Sequence, residues 1–220
     1  ISPNFIQAES VLDTMIDIFQ RTLELTVAGA NETMGPAQLA QSAIEIDQLL
    51  EHVLLLGNTQ VSGRSIFAGT RTAQEPFVTT RDINNRITAV TYTGNTDSIE
   101  IQISETARID TTLPGSEIFQ NTVDMFNVLI GIRDDMEAGN QTSLSAVRLG
   151  EISLSQDQLS LSMAKIGALQ NRLSRVSDSA EDFVIELQEQ LSNRVDADFA
   201  ETMLNYNVRQ TSFQAALNAS

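Results

Sequence analysis

The sequence predicts an α+β protein that is mainly α: an elongated antiparallel bundle of long helices built from both chain ends, with a small inserted β domain. Three observations carry this. Apolar residues recur every seven positions near both ends, the pattern of helices packed at a shallow angle. Between about residues 64 and 114 the period changes to two. Charge follows the same division: residues 1–63 hold 8 acids and 1 base, 64–114 hold 6 and 5, and 115–220 hold 15 and 7. The expected domains are therefore 1–63 plus 115–220, helical, and 64–114, rich in β-hairpin.

Each element has its own warrant. Ser2 before Pro3 is a capping hydroxyl followed by a first-turn proline. Phe5, Leu12 and Phe19, with Ala8, Met15, Ile16 and Leu23 between them, then mark one stripe down a helix ending near Gly29. A second helix opens at Pro36, with rows Leu39–Ile46–Val53 and Ala43–Leu50, and runs to Gly57 and Asn58. Leu54, Leu55 and Leu56 widen its stripe toward two neighbours. ITAVTYT (87–93) and SIEIQIS (98–104) flank the turn GNTD, which predicts a half-buried hairpin with Ile99, Ile101 and Ile103 on one face. Phe77–Thr80 and Arg108–Thr112 are further strand candidates, and Pro114–Gly115 closes the region. A third helix is expected from Ser116 to Met136, followed by the loop EAGNQTS. The last helix is the longest, with Leu159, Ile166, Leu173, Ala180 and Leu187 each seven apart. Gly167 inside it costs about 1 kcal/mol relative to alanine, which points to close backbone approach there.

Composition narrows function. The chain has no cysteine and one histidine, His52, so thiolate chemistry and most imidazole chemistry are excluded. A net charge of -16 repels phosphate backbones and anionic lipid, so neither nucleic acid nor membrane is an expected partner. No stretch of some 18 apolar residues and no signal-peptide pattern occurs.

The densest acidic cluster is Asp196, Asp198 and Glu201 beside Arg194. On a helix Arg194 and Asp198 (i, i+4) share a face while Asp196 points elsewhere. A calcium loop would need an oxygen ligand at Ala200 and a following glycine, and no Glu-x-x-His accompanies the acids. His52 has no chemical partners, the serines of SLSLSQDQLSLSM sit in no strand-to-helix elbow, and GRSIFAG has no phosphate-loop spacing. No catalytic, metal or cofactor-binding residue and no cofactor is expected. Helices with acidic outer faces and heptads running off both ends suit a subunit whose work is contact with other subunits.

Several stretches then resemble the flagellin superfamily. IFQRTLELTVAGANET (18–33) is similar to the first-half helix of flagellins, EIDQLLEHVLLLGNTQVSG (45–63) to the segment that follows it, KIGALQNRL (165–173) to the LGAxQNRL of the C-terminal half, and NRVDADFAE (193–201) to its SRIEDADxAxE. Within that superfamily NTQVSGRSIFAGTRTAQEPF, the Y-x-G at Tyr92 and Gly94, and PGSEIF (114–119) resemble the hook-filament junction family. The resemblance implies an extracellular structural adaptor joining the hook-proximal junction ring to the flagellin filament, secreted through the flagellar export apparatus without a cleaved signal peptide. Its implied partners are neighbouring copies in a ring, the other junction protein, flagellin, and an export chaperone before secretion. It also implies that the chain is a core fragment lacking terminal segments. Gln20, Arg21 and Leu25 match the flagellin helix that an innate immune receptor reads, with Leu23 in place of its second arginine. The expected subunit-contact residues are Gln20, Arg21, Leu25, Arg194, Asp196 and Asp198. Two other readings remain at this point: a short flagellin forming the filament itself, and an enzyme or metal protein using the acidic helix.

Overall fold

A computed structural model describes residues 3–31, 33–97, 99–102, 108–110 and 112–218; the side chains of 101, 109, 110, 196–200 and 216–218 lie outside the description. The fold is mainly helical, with antiparallel two-stranded sheets inserted between helices from the two ends of the chain. The chain parts into two compact units, residues 1–171 and 172–220.

In the first unit α1 (Pro3–Gly29) buries Phe5, Ala8, Leu12, Met15 and Phe19 of the expected stripe, while Ile16 and Leu23 are half-buried at its edges. Its buried Thr22 and Thr26 donate their hydroxyls to the carbonyls of Ile18 and Thr22 at 2.9 and 2.7 Å, so neither is left unpaired. Helix α2 (Pro36–Gly57) opens on Pro36, and the Gln38 side chain reaches back to the backbone N–H of Gly35 at 3.2 Å. It returns along α1, with both expected rows buried. Leu55 does not belong to the buried face: it is exposed, as a 100° step per residue requires once Leu50 and Val53 face inward.

The hairpin forms with a different partner from the expected one. β1 (Gln60–Val61) pairs with β2 (Arg64–Ser65) through Ser62 and Gly63, both at positive φ. β3 (Phe77–Arg81) pairs with β4 (Ile87–Tyr92), and β5 (Glu100–Gln102) pairs with β6 (Arg108–Asp110). Thus ITAVTYT joins Phe77–Arg81, not SIEIQIS. The turn that closes it is DINN, where the Asp82 carboxylate accepts the backbone N–H groups of Asn84 and Arg86 at 2.8 and 2.9 Å and Asn85 takes φ 64°. GNTD instead folds back: Asn95 accepts the Thr70 N–H at 2.8 Å and its own N–H reaches the Ala68 carbonyl. Ile99 is exposed, and Ile103, with the side chain of Ile101, lies outside the described residues.

The Asp82 turn makes a pH prediction. The Arg86 N–H, then that of Asn84, hold the carboxyl below its ordinary value. A depressed folded pKa contributes stability that is present above the unfolded value of about 3.9 and is lost as pH falls through the folded value. NMR titration of Asp82 should give a pKa below that of a free aspartate, and Asp82→Asn should keep the turn while removing its acid sensitivity. A titration at or above about 3.9 would contradict the turn geometry.

Rings from five segments meet where the strands join the helices. Phe77 sits with its centroid 5.3 Å from Tyr92, 4.9 Å from Phe119 and 5.0 Å from Phe126, and Phe67 stands edge-on to Phe119 at 5.3 Å. Two glycines admit Phe77: a Cβ at Gly57 would lie 2.8 Å from its ring, and one at Gly115 would lie 2.7 Å from it. Asn58 fixes the strand below the ring, accepting the Phe77 N–H and donating to the Phe77 carbonyl, both at 2.9 Å. Burial raises the Tyr92 phenol above its ordinary value, and its oxygen lies 3.0 Å from the carbonyls of Phe67 and Asn95.

The third helix is broken in two: α3 (Gly115–Phe119) and α4 (Met125–Glu137). The break is held from a distance. Gln158, 4 % exposed, accepts the N–H groups of Thr122 and Val123 at 2.7 and 3.1 Å and donates to the carbonyl of Ile118 at 2.9 Å. Asp124 then caps α4 by accepting from Phe126 and Asn127. The expected loop EAGNQTS ends early, since Asn140 caps a single turn, α5 (Gln141–Ser143), which passes through a π-helical turn (Leu144–Arg148) into α6 (Leu149–Asn218).

In residues 149–171 the α6 seam is buried at Ile152, Leu159 and Ile166, and Gln170 reaches Glu9 of α1 at 2.9 Å. Gly167 does not mark a close approach: a Cβ there would meet nothing within 4 Å. Arginines tie the layers together. Arg133 of α4, 3 % exposed, donates to Asp47 of α2 at 2.7 Å and to the Ile87 carbonyl of β4 at 2.8 Å. Arg81 pairs with Glu51, and Arg86 with Glu137 at 2.6 Å.

Candidate assembly surface

The second unit is the remainder of α6 from Arg172. Its apolar residues keep the heptad seam: Leu173, Val176, Ala180, Phe183, Leu187, Leu191 and Val195 fall at steps of three and four, and Tyr206 and Phe213 continue the row. Here the seam is not buried. Leu173 and Val176 are half-buried, and the described residues from Ser177 to Ala215 are all exposed. Leu191 stands at 64 % and Phe213 at 65 %, against 0 % for Leu159 in the first unit.

Each such aliphatic or aromatic side chain gains about 1.5–3 kcal/mol on full burial. Helices in proteins draw most of their stability from packing an amphipathic face. In this unit the row stays exposed over its described length. Its polar flank carries Asp178, Glu181, Asp182, Glu186 and Glu189, so the helix is amphipathic rather than apolar all round.

The expected contact residues divide. Gln20 and Arg21 are exposed on α1, and Arg21 donates to Glu45 at 2.7 Å and Glu24 at 2.9 Å, bonds that raise its already high pKa, Glu45 more than Glu24. Leu25, at 8 % exposure, packs into the chain's own core on the same helical face as Ile18 and Thr22. Arg194 is exposed on α6; the side chains of Asp196 and Asp198, and so the expected Arg194–Asp198 pair, lie outside the described residues. His52 is exposed on α2. Among the described residues no group of three or more histidine, cysteine, aspartate or glutamate residues is placed to hold a metal, and no helix is long and apolar enough to cross a membrane.

The motif residues of the β region serve the aromatic cluster instead of a surface. Gly69, at φ 66°, leaves no room for a Cβ, which would lie 2.1 Å from the Asn95 carbonyl. Gly94 lies beneath Tyr92, and the Gly115 N–H donates to the Phe67 carbonyl at 2.7 Å. What the sequence reading missed is Gln158, whose only signal was a polar residue at a seam-flanking position.

Comparison with known proteins agrees at both ends of the chain. Residues 4–72 match the bacterial flagellin N-terminal helical region, and residues 150–220 match the bacterial flagellin C-terminal helical region. A relative from Escherichia coli strain K12, flagellar hook-associated protein 3, is 26 % identical over 235 residues, spanning 96 % of this chain and 72 % of its own. The crystal structure of flagellar hook associated protein-3 from Legionella pneumophila shares the fold with a TM-score of 0.75 at 11 % identity, covering 86 % of this chain and 91 % of its own. That of Xanthomonas campestris FlgL does so with a TM-score of 0.74 at 16 % identity, covering 86 % and 93 %. On two helical regions that together take in more than half of its length, the chain belongs to the bacterial flagellin family, and over nearly its whole length it is similar to flagellar hook-associated protein 3.

Proposed function

We propose that this protein is a structural adaptor of the bacterial flagellum, joining the hook-proximal junction ring to the flagellin filament. The observation that carries the reading is the unburied seam of α6 beyond Arg172, in a chain whose relatives are structural flagellar proteins. A helix that offers an apolar row to other helices is how a subunit couples to several neighbours at once. The partners in this reading are neighbouring copies in a ring, the other junction protein on the hook side and flagellin on the filament side. An export chaperone covers the same row before secretion through the flagellar apparatus. Arg21, Gln20, Arg194, Asp196 and Asp198 are polar contacts at the rim of these interfaces, where exposed charges set partner choice more than affinity.

The experiment is a substitution on the row that leaves the first unit alone. Leu191→Asp should leave the thermal unfolding midpoint of the isolated chain within about 0.5 kcal/mol of wild type in free-energy terms, since the position is exposed. The same variant should fail to restore filaments in cells lacking the protein. Full restoration by Leu191→Asp, and likewise by Phe183→Asp, would remove the row from the assembly.

A further inference from the structure

The joint that leads into α6 holds one residue more than the repeat of that helix allows. Counting back by sevens along the buried row Ile166, Leu159 and Ile152 reaches Ser145, and Ser145 is exposed. The buried residue is its neighbour Leu144, at 0 % exposure and eight positions before Ile152. In an unbroken α-helix, at 100° per step, eight residues leave the second side chain about 80° around from the first. The π-turn over Leu144–Arg148 removes that offset. It takes one residue into a wider loop of helix, and the Leu149 N–H bonds the Leu144 carbonyl five residues back.

Both ends of the turn are pinned to other elements. Leu144 fills the space where α1, α2 and α4 meet: a Cβ on Gly29 would lie 3.3 Å from its Cδ1, 3.4 Å from Leu39 Cδ2 and 3.2 Å from Met136 Cε. Four residues on, Arg148 lies along α4 where Gly131 has no side chain, and a Cβ there would run into its guanidinium. Arg148 donates to Asp135 at 2.6 Å and to Glu151 at 2.9 Å. Asp135 also accepts from the Ser143 hydroxyl at 2.7 Å and from the Asn140 amide at 3.3 Å, so one carboxylate ties the turn to the residues before it. The middle of the turn is unlike its ends. Ser145, Ala146 and Val147 are all exposed, and the Ser145 hydroxyl goes back to the Thr142 carbonyl at 3.1 Å.

We infer that the π-turn is a phase-setting device: one surplus residue, taken up at 145–147, lets the Leu144 anchor and the α6 seam share a single face. An α-helical joint would keep the seam and turn Ser145 inward in place of Leu144. That arrangement leaves a leucine on the surface and empties the space beside Gly29, so burial of Leu144 decides for the wider turn. The exposed residues of the turn are where the extra length goes, because they alone are held by no other element's core. Phase is therefore set by two pinned residues and not by the residues between them. This inference stands on the joint alone and does not depend on the adaptor reading.

Removing single residues tests it, because a deletion inside a regular helix rotates everything beyond it by about 100°. Deleting Ala146 should leave the urea midpoint unchanged, since Leu144 and Ile152 then stand seven apart in continuous α-helix. Deleting Ala164, likewise an exposed alanine but between Leu159 and Ile166, should lower the midpoint by about 1 M or more, the scale of a lost core side chain. A second variant moves the anchor and keeps the length. Leu144→Ser combined with Ser145→Leu puts a leucine on the seam's own count, and its crystal structure should show bonds from each N–H to the fourth carbonyl back throughout the joint. The inference is overturned if the Ala146 deletion lowers the midpoint as far as the Ala164 deletion does, or if the Ala164 deletion costs nothing. A π-turn that persists in the double variant would overturn it as well.

Discussion

Phe77→Ala should lower the unfolding free energy of the first unit by about 3–5 kcal/mol, the range for removing a buried phenylalanine. Phe77 is 1 % exposed and touches Tyr92, Phe119 and Phe126, so its loss leaves a cavity bounded by rings from a strand and two helices. The site collapses poorly, because Gly57 and Gly115 bring backbone against the ring and backbone does not move in to fill the space. Phe77→Leu, which keeps part of the volume, should cost less. Urea unfolding followed by circular dichroism measures both; equal, small effects for the two would mean the cluster is not a packed core.

Arg133→Ala is expected to cost a similar amount, about 3–5 kcal/mol, the effect of breaking a buried ion pair by removing one partner. The guanidinium joins α2 through Asp47, β4 through the Ile87 carbonyl and its own helix through Asp134. Without it the Ile87 carbonyl loses this bond and Asp47, already half-buried, loses its cation. Arg133→Lys should recover only part of the loss, since one ammonium cannot reproduce a planar fork aimed at separate acceptors. Because burial of the charge is itself costly, Arg133→Met is the informative companion. Stability restored by methionine would show that the arginine fixes the position of the hairpin more than it holds the fold together. The readout is the urea midpoint of each variant at constant m-value.

How far the sequence led depended on whether a feature was local. The stripe of α1 and the two rows of α2 were legible because a seven-residue repeat in one helix needs no knowledge of its partner. The hairpin was mispaired because GNTD and DINN are both good turns, and the choice between them is made far away, where Asn95 bonds Thr70 and Ala68. The break in the third helix was invisible for the same reason: Gln158, some 35 residues onward, supplies the side chain that satisfies Thr122 and Val123. Gly167 misled because a helix glycine was read as a packing feature where the space is open. The seam of α6 was legible as a pattern throughout. That it turns from buried to exposed beyond Asn171 was not, since a repeat does not say whether its partner lies in the same chain. The motif glycines were read as family resemblance, and the structure supplies their physical reason in Gly69 and Gly115.

The central claim is that this chain couples the hook to the filament. Electron micrographs of cells from which it has been removed test that directly, together with assay of the culture medium for flagellin. The account predicts hooks that end without filaments and flagellin released as monomer, with both reversed by the wild-type protein. Filaments of normal length on cells that lack it would contradict the account.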